Sequence, residues 1–207
     1  MPARAHPRQA YTVGIICALD VEKAAVEATL DQEHGRVEKA VGDDNAYSFG
    51  RIGEHNVVVA CLPAGVMGKA SAAVVAKDMT RSFPIKVGLM VGICGGVWSE
   101  RADIRLGDVV VSQPDGVHGG VVQWDYGKME LNKPPRPLLN AVQSLKARHR
   151  LRGNEVARHI REALAKFPLI EEEYGHQGRD KDDLYEASYS HPGGDACDRC
   201  DRSQLVS

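Results

Sequence analysis

The sequence predicts an α/β sandwich built around a mixed sheet, and three observations point to it. Short apolar, β-rich runs alternate with helical stretches, as where Tyr11 to Leu19 is followed by "VEKAAVEATLDQ". An alanine-rich helical segment leads in the same way into "IKVGLMVGI". Two further strand-like runs, Ala46 to Ile52 and Asn56 to Leu62, flank the turn-forming "GEHN", so the sheet is not all parallel.

Tyr11 to Leu19 is short and apolar enough for a buried strand. Asp20 stands where it can cap the helix that follows. A helix is expected from about Gly68 to Phe83, ended by Pro84, which has no N–H to continue it. Within "IRLGDVVVSQP" a strand is expected over Asp108 to Ser112, and a short one over Gly120 to Trp124. "KPPRP" breaks the chain before two helices, Leu138 to Arg150 and Asn154 to Lys166, separated by Gly153. From about Pro168 the chain is polar and punctuated, which predicts loop. The expected division is a disordered tail over 1–10, one domain over 11–167 and a loop-rich, poorly ordered extension over 168–207.

The 207 residues carry a net charge of −2, which argues against a dedicated nucleic-acid binder, whose affinity rests on neutralising phosphates. The basic run "KARHRLR" reads as a solvated helix end. No apolar run approaches membrane-spanning length, and "MPARAHPRQA" is not followed by the long apolar stretch of a signal peptide. The five cysteines are odd in number, and three of them sit in or beside apolar runs. That pattern fits a reducing compartment, and a cytoplasmic location is expected.

Several stretches could carry chemistry. Gly92-Ile93-Cys94-Gly95-Gly96 ends a buried strand, where ligands of open α/β sheets tend to lie. Its glycines can expose backbone N–H groups to an oxyanion or a sugar oxygen, and pattern alone leaves a plain turn equally open. Gly65-Val66-Met67-Gly68-Lys69 lacks the Walker spacing, which leaves a glycine-led helix start. Asp20 and Glu22 lie just past the first strand, where a carboxylate can act as a base or simply complement a helix dipole. His118 lies in a glycine-rich loop near Trp124, Asp125 and Tyr126. Cys197-x-x-Cys200, with His191 upstream, lacks the second ligand pair that zinc spacing asks for, so no metal is expected.

Taken in order, "VGIICALDVEKAAV", "GVMGKASAA", "VGICGGV" and "LGDVVVS" resemble the nucleoside phosphorylase and purine nucleosidase superfamily, including the methylthioadenosine/S-adenosylhomocysteine nucleosidases. "HGGVVQWDYGK" and "ASYSHPGGDACDRC" look most like its fungal branch, where the domain often heads large signalling proteins with NTPase and repeat domains. The resemblance implies a three-layer α/β/α fold around a mixed, twisted sheet. It implies cleavage of the N-glycosidic bond of a purine nucleoside, without a cofactor, in dimers or larger assemblies.

By position Glu22 matches the family's water-handling glutamate. Cys94, Gly95, Gly96 and Gly68 would face the nucleophile and ribose, and His118 and Tyr126 are candidates for the base pocket. Two departures follow. The phosphorylases' phosphate-binding arginine and serine or threonine are replaced by Met90 and Ile93, whose side chains cannot bind an oxyanion, so water is the expected nucleophile. The family's C-terminal ribose-binding segment and catalytic aspartate have no counterpart in the sequence, so a truncated fold is expected. The alternative expectation is a catalytically inactive nucleoside-sensing or interaction module.

Overall fold

A computed structural model describes residues 5–66, 68–95, 103–123, 129–130, 133–175, 178, 183–186, 188–194 and 197–206. The chain divides into two compact units, Met1–Gly95 with Arg158–Glu173, and Gly96–Ala157 with Tyr174–Ser207.

The first unit holds a five-stranded sheet in the order β2-β3-β4-β1-β5. Its strands are β1 (Tyr11–Cys17), β2 (Gln32–Glu33), β3 (Tyr47–Ile52), β4 (His55–Cys61) and β5 (Val87–Met90). β4, β1 and β5 run parallel, while β2 and β3 join antiparallel, so the sheet is mixed as the early hairpin requires. The hairpin turn is only Gly53-Glu54; Asn56 pairs with Arg51 as the expected strand requires, and His55, expected in the turn, already pairs with Ile52.

Helix α1 (Asp20–Ala28) and helix α2 (Lys69–Ser82) cover opposite faces of this sheet. Ile15, Cys17, Val57 and Val59 pack with Val26 and Leu30 on one face. Val58 and Ala60 pack with Val75, Met79 and Phe83 on the other. Alternation along β4 explains the split, because successive side chains of a strand point to opposite faces. Tyr11 departs from it. A register shift between Tyr11 and Val13 puts Tyr11 on the α2 face, among Phe49 and Phe83, although Ile15 and Cys17 lie on the α1 face. Each fully buried valine of β4 contributes about 1.5–3 kcal/mol by leaving water.

Helix α4 (Val156–Lys166) supplies residues 158–166 to this unit. Its Ala163 is buried, and Lys166 Nζ donates to the Leu30 carbonyl at 3.0 Å. Pro168–Tyr174, expected as loop, forms a further helix, α5, with proline as its first residue, where a missing N–H costs nothing. Residues expected as a free tail are tied down in part. Arg8–Ala10 make a 3-10 turn, and Arg8 Nε donates to the Ser82 carbonyl at the end of α2.

A buried polar network closes the same end of α2. The Asp43 carboxylate accepts from Tyr47 Oη at 2.9 Å, from the Asn45 N–H at 3.0 Å and from Ser82 Oγ. Ser82 Oγ in turn accepts from the Ala40 N–H at 2.9 Å.

His34 is buried, with Nδ1 3.0 Å from Tyr11 Oη and Nε2 without a hydrogen-bond partner among the described residues. Burial, and then the positive neighbours His6 and Arg51, hold its pKa below the ordinary 6.5. A lowered imidazole pKa means the unfolded chain binds the proton first on acidification. The neutral ring's contribution is therefore present above about pH 6.5 and is lost as pH falls toward the folded value. The urea midpoint is expected to drop between about pH 7 and about pH 5.5, and His34→Gln to flatten that drop. An unchanged slope in the variant would assign the effect elsewhere.

In the second unit, β6 (Val122–Gln123) pairs antiparallel with β7 (Met129–Glu130), in the neighbourhood of the expected short strand. Helix α3 (Arg136–Arg152) ends at Gly153, whose φ of 75° stops it, and "KARHRLR" forms its mostly exposed last turns. The strand expected over Asp108 to Ser112 does not form. Among the described residues no strand pairs with it, and Val109, Val110 and Val111 are exposed. An apolar β-branched run makes a strand only when its N–H and C=O groups find a ladder.

Candidate functional site

The strand order of the first unit defines a crevice before any side chain is considered. β1 is central, β4 lies on one side of it and β5 on the other, and all three end at the same edge. The chain leaves β1 into a helix on one face and reaches β5 from a helix on the other. Such a reversal is where open α/β sheets take ligands, outside the carboxyl ends of the strands.

Glu22 occupies this edge. It is the third residue of α1, whose N-cap position is Leu19, a side chain with no acceptor. Capping therefore falls to Glu22 rather than to Asp20, which lies within the first turn. Its Oε2 accepts from the Ala18 N–H at 2.7 Å and the Leu19 N–H at 2.9 Å, and its Oε1 from the Ile93 N–H at 2.8 Å. One carboxylate thus joins the loop after β1 to the loop after β5. The side chain is buried, and burial alone would raise its pKa. The three backbone donors outweigh burial and hold it below the usual glutamate value, so the group is ionised at neutral pH. Two oxygens offer about four acceptor directions, and the described residues fill three, which leaves one among them for a water or a sugar hydroxyl.

Gly92 makes this contact possible. A Cβ built on it would stand 2.7 Å from Glu22 Oε1 and 3.1 Å from Cδ. The glycine at the end of β5 is needed so that a buried carboxylate can lie against the backbone. Pattern alone leaves a turn and a ligand loop equally open at these glycines; the pairing of Gly92 with Glu22 spans about seventy positions and leaves no local signal.

The other predicted residues fall as follows. Cys94 and Gly95 continue this loop and are exposed, and no described residue lies within 4 Å of the Cβ direction of Gly95. Gly68 starts α2 at φ 93°, a conformation that suits glycine, with open space beside it. It belongs to the segment leaving β4, at the same end of the parallel strands. Gly96 and Tyr126 lie outside the described residues. His118 belongs to the second unit, where it is exposed and closes a tight bridge with Asp115 through hydrogen bonds of 2.9 and 3.2 Å. Met90 and Ile93 are 67% and 71% exposed, so Ile93 serves the site through its N–H and not its side chain. Cys17 and Cys61 stand opposite each other at the ends of β1 and β4. Burial, with the Glu22 charge adding to it, pushes the Cys17 thiol up to about 11, and burial raises Cys61 too, so neither is a ready nucleophile.

A three-layer domain with a fixed carboxylate and a glycine-rich loop at the switch point belongs to the ligand-binding α/β class. The family model of the phosphorylase superfamily matches residues 12–164, and the chain belongs to that superfamily. Its domain is thus of the nucleoside phosphorylase and nucleosidase type. The chain is also 44% identical over 187 residues to a nucleotide-binding leucine-rich repeat (NLR)-like protein of Hyaloscypha variabilis. That alignment takes in 85% of this chain and 18% of the relative, so the chain spans under a fifth of the relative's length. No solved structure matches the chain. No helix of the described residues is long and apolar enough to cross a membrane.

Proposed function

We propose that the domain binds a purine nucleoside at the ends of β4, β1 and β5 and hydrolyses its N-glycosidic bond. The observation that carries this reading is the ionised Glu22 carboxylate at the switch point, with one acceptor direction that no described residue fills. In the reaction the bond between the anomeric carbon and the purine nitrogen breaks, and its electron pair leaves with the base. The oxygen of a water bonds to the anomeric carbon, and the proton it loses passes through solvent to the departing purine, which leaves as the neutral base. Glu22 orients that water and places a negative charge beside the cationic sugar, which favours the charged transition state over the neutral substrate. Because its pKa is low, it acts first as a positioning acceptor and only weakly as a base. Water is favoured over phosphate because Met90 and Ile93 offer no side-chain donor to an oxyanion.

The test is incubation with adenosine, inosine, guanosine and methylthioadenosine, with and without phosphate, followed by measurement of free base. Base release independent of phosphate is expected, with a loss of about a hundredfold or more in Glu22→Gln. Release that requires phosphate would overturn hydrolysis. The NLR-like relative supports a second reading, a nucleoside sensor that binds without turnover. Calorimetric binding with no base release would favour that reading, and no binding of any nucleoside would remove both.

A further inference from the structure

We propose that His191, Cys197 and Cys200 form a zinc site that staples the segment 183–206. Spacing argued against a metal, since the C-x-x-C lacks a second pair. The fold supplies a third ligand instead. The three donor atoms all lie within 4.8 Å of one another. Cys197 Sγ is 3.8 Å from His191 Nε2. A tetrahedral zinc with sulfur at about 2.3 Å and nitrogen at about 2.0–2.1 Å would set that edge near 3.6 Å, so little movement is needed. Cys200 is buried while Cys197 and His191 are exposed, which gives the cluster a floor and an open side for entry.

The surrounding backbone is built around these ligands. The Cys200 N–H donates to the Cys197 carbonyl at 3.0 Å, forming the turn between the thiols. The Asp201 N–H donates to Tyr189 Oη at 2.8 Å, and Tyr189 stacks on Tyr185. Residues 184–186 pair with 204–206 through the Glu186 N–H on Gln204 and the Val206 N–H on Leu184, both at 2.8 Å. Among the described residues of this segment, Cys200 is the only one that is buried. Ordering a residue costs about 1–2 kcal/mol, which so small an apolar interior cannot offset, and elements this small are ordinarily held by a metal or a disulfide.

Two sulfurs and an imidazole are a soft donor set, suited to zinc and not to magnesium or calcium. Binding forms two Zn–S bonds and one Zn–N bond and releases the two thiol protons, with a water filling the fourth position. At present the Gly193 N–H donates to His191 Nδ1 at 3.1 Å, which leaves the ring proton on Nε2, facing Cys197. Zinc on Nε2 moves that proton to Nδ1 and opens the Gly193 bond.

The test titrates cobalt(II) into the reduced, metal-free full chain. One equivalent is expected to bind, with tetrahedral ligand-field bands and a thiolate charge-transfer band, and one equivalent of zinc should displace it. Cys200 is buried, so its replacement can loosen the segment by itself. Cys197→Ser and His191→Ala, at exposed positions, carry the test. Each is expected to weaken zinc by more than the roughly 10–100-fold that loss of a supporting partner costs, and Cys197→Ser to halve the charge-transfer intensity, with an unchanged circular dichroism spectrum. Absence of a charge-transfer band, unchanged affinity in both variants, or loss of binding in Cys94→Ser instead would overturn the site.

Discussion

Gly92→Ala is expected to destabilise the protein by about 2–4 kcal/mol, and that loss should nearly vanish when Glu22 is also replaced by alanine. The backbone at Gly92 is not in the left-handed region, so alanine is conformationally acceptable there. The cost comes from space. The added methyl would lie 2.7 Å from Glu22 Oε1, and the carboxylate can retreat only by releasing backbone donors. Each hydrogen bond to a charged group is worth about 1.5–3 kcal/mol, and buried N–H groups left without an acceptor add to the loss. In a Glu22→Ala background the obstacle is gone. Urea denaturation of the parent, both single variants and the double variant measures the coupling. An equal cost for Gly92→Ala in both backgrounds would show that the glycine serves something other than Glu22. The same variant bears on the proposed hydrolysis, in which the carboxylate holds a water at the switch point and would lose that hold when displaced.

The central strands were readable because their signal is local. Tyr11–Cys17, His55–Cys61 and Val87–Met90 are short apolar runs between turn residues, and both covering helices follow strand ends with a change of period. The family's ordered motifs added the three-layer arrangement. What stayed hidden was the choice of partner at long range. Asp108 to Ser112 has the composition of a strand, but composition cannot show whether a neighbouring ladder exists. Asp20 looked like the cap because short acidic residues at that position usually are; Glu22, three residues past the cap, does the work by reaching back. At the candidate site the sequence singles out Glu22 and the glycine loop as separate features, and the structure brings them into contact. That one holds the other depends on β1 and β5 being neighbours, which no motif states. His191 was likewise visible beside the C-x-x-C, yet only the folded loop brings its ring to the sulfurs.

Asp43→Ala is expected to cost about 3–4 kcal/mol, a large effect for a polar side chain outside the crevice. Nothing in the sequence marks Asp43, which sits in the polar run "VGDDNAY". In the structure it is buried and takes hydrogen bonds from Ser82, Asn45 and Tyr47. Burial would raise its pKa, but those donors and the nearby Lys39 hold it below the usual aspartate value. Replacing it by alanine leaves two hydroxyls and a backbone N–H facing a void, and Ser82 also holds the Ala40 N–H. The loop over 40–47 would then lose its tie to the end of α2, where Arg8 is also anchored. Asp43→Asn keeps one acceptor but turns an amide donor toward other donors, so it should cost less than alanine, about 1–2 kcal/mol. The sign with pH follows from the lowered pKa. The carboxylate's contribution is complete above about pH 3.8, the unfolded value, and is lost as pH falls through the folded one, so the alanine penalty should shrink in acid. Denaturant midpoints of the three proteins at neutral and acid pH decide it. A neutral-pH cost for alanine within about 0.5 kcal/mol of zero, the range of an ordinary surface substitution, would mean that α2 is held by its apolar face alone.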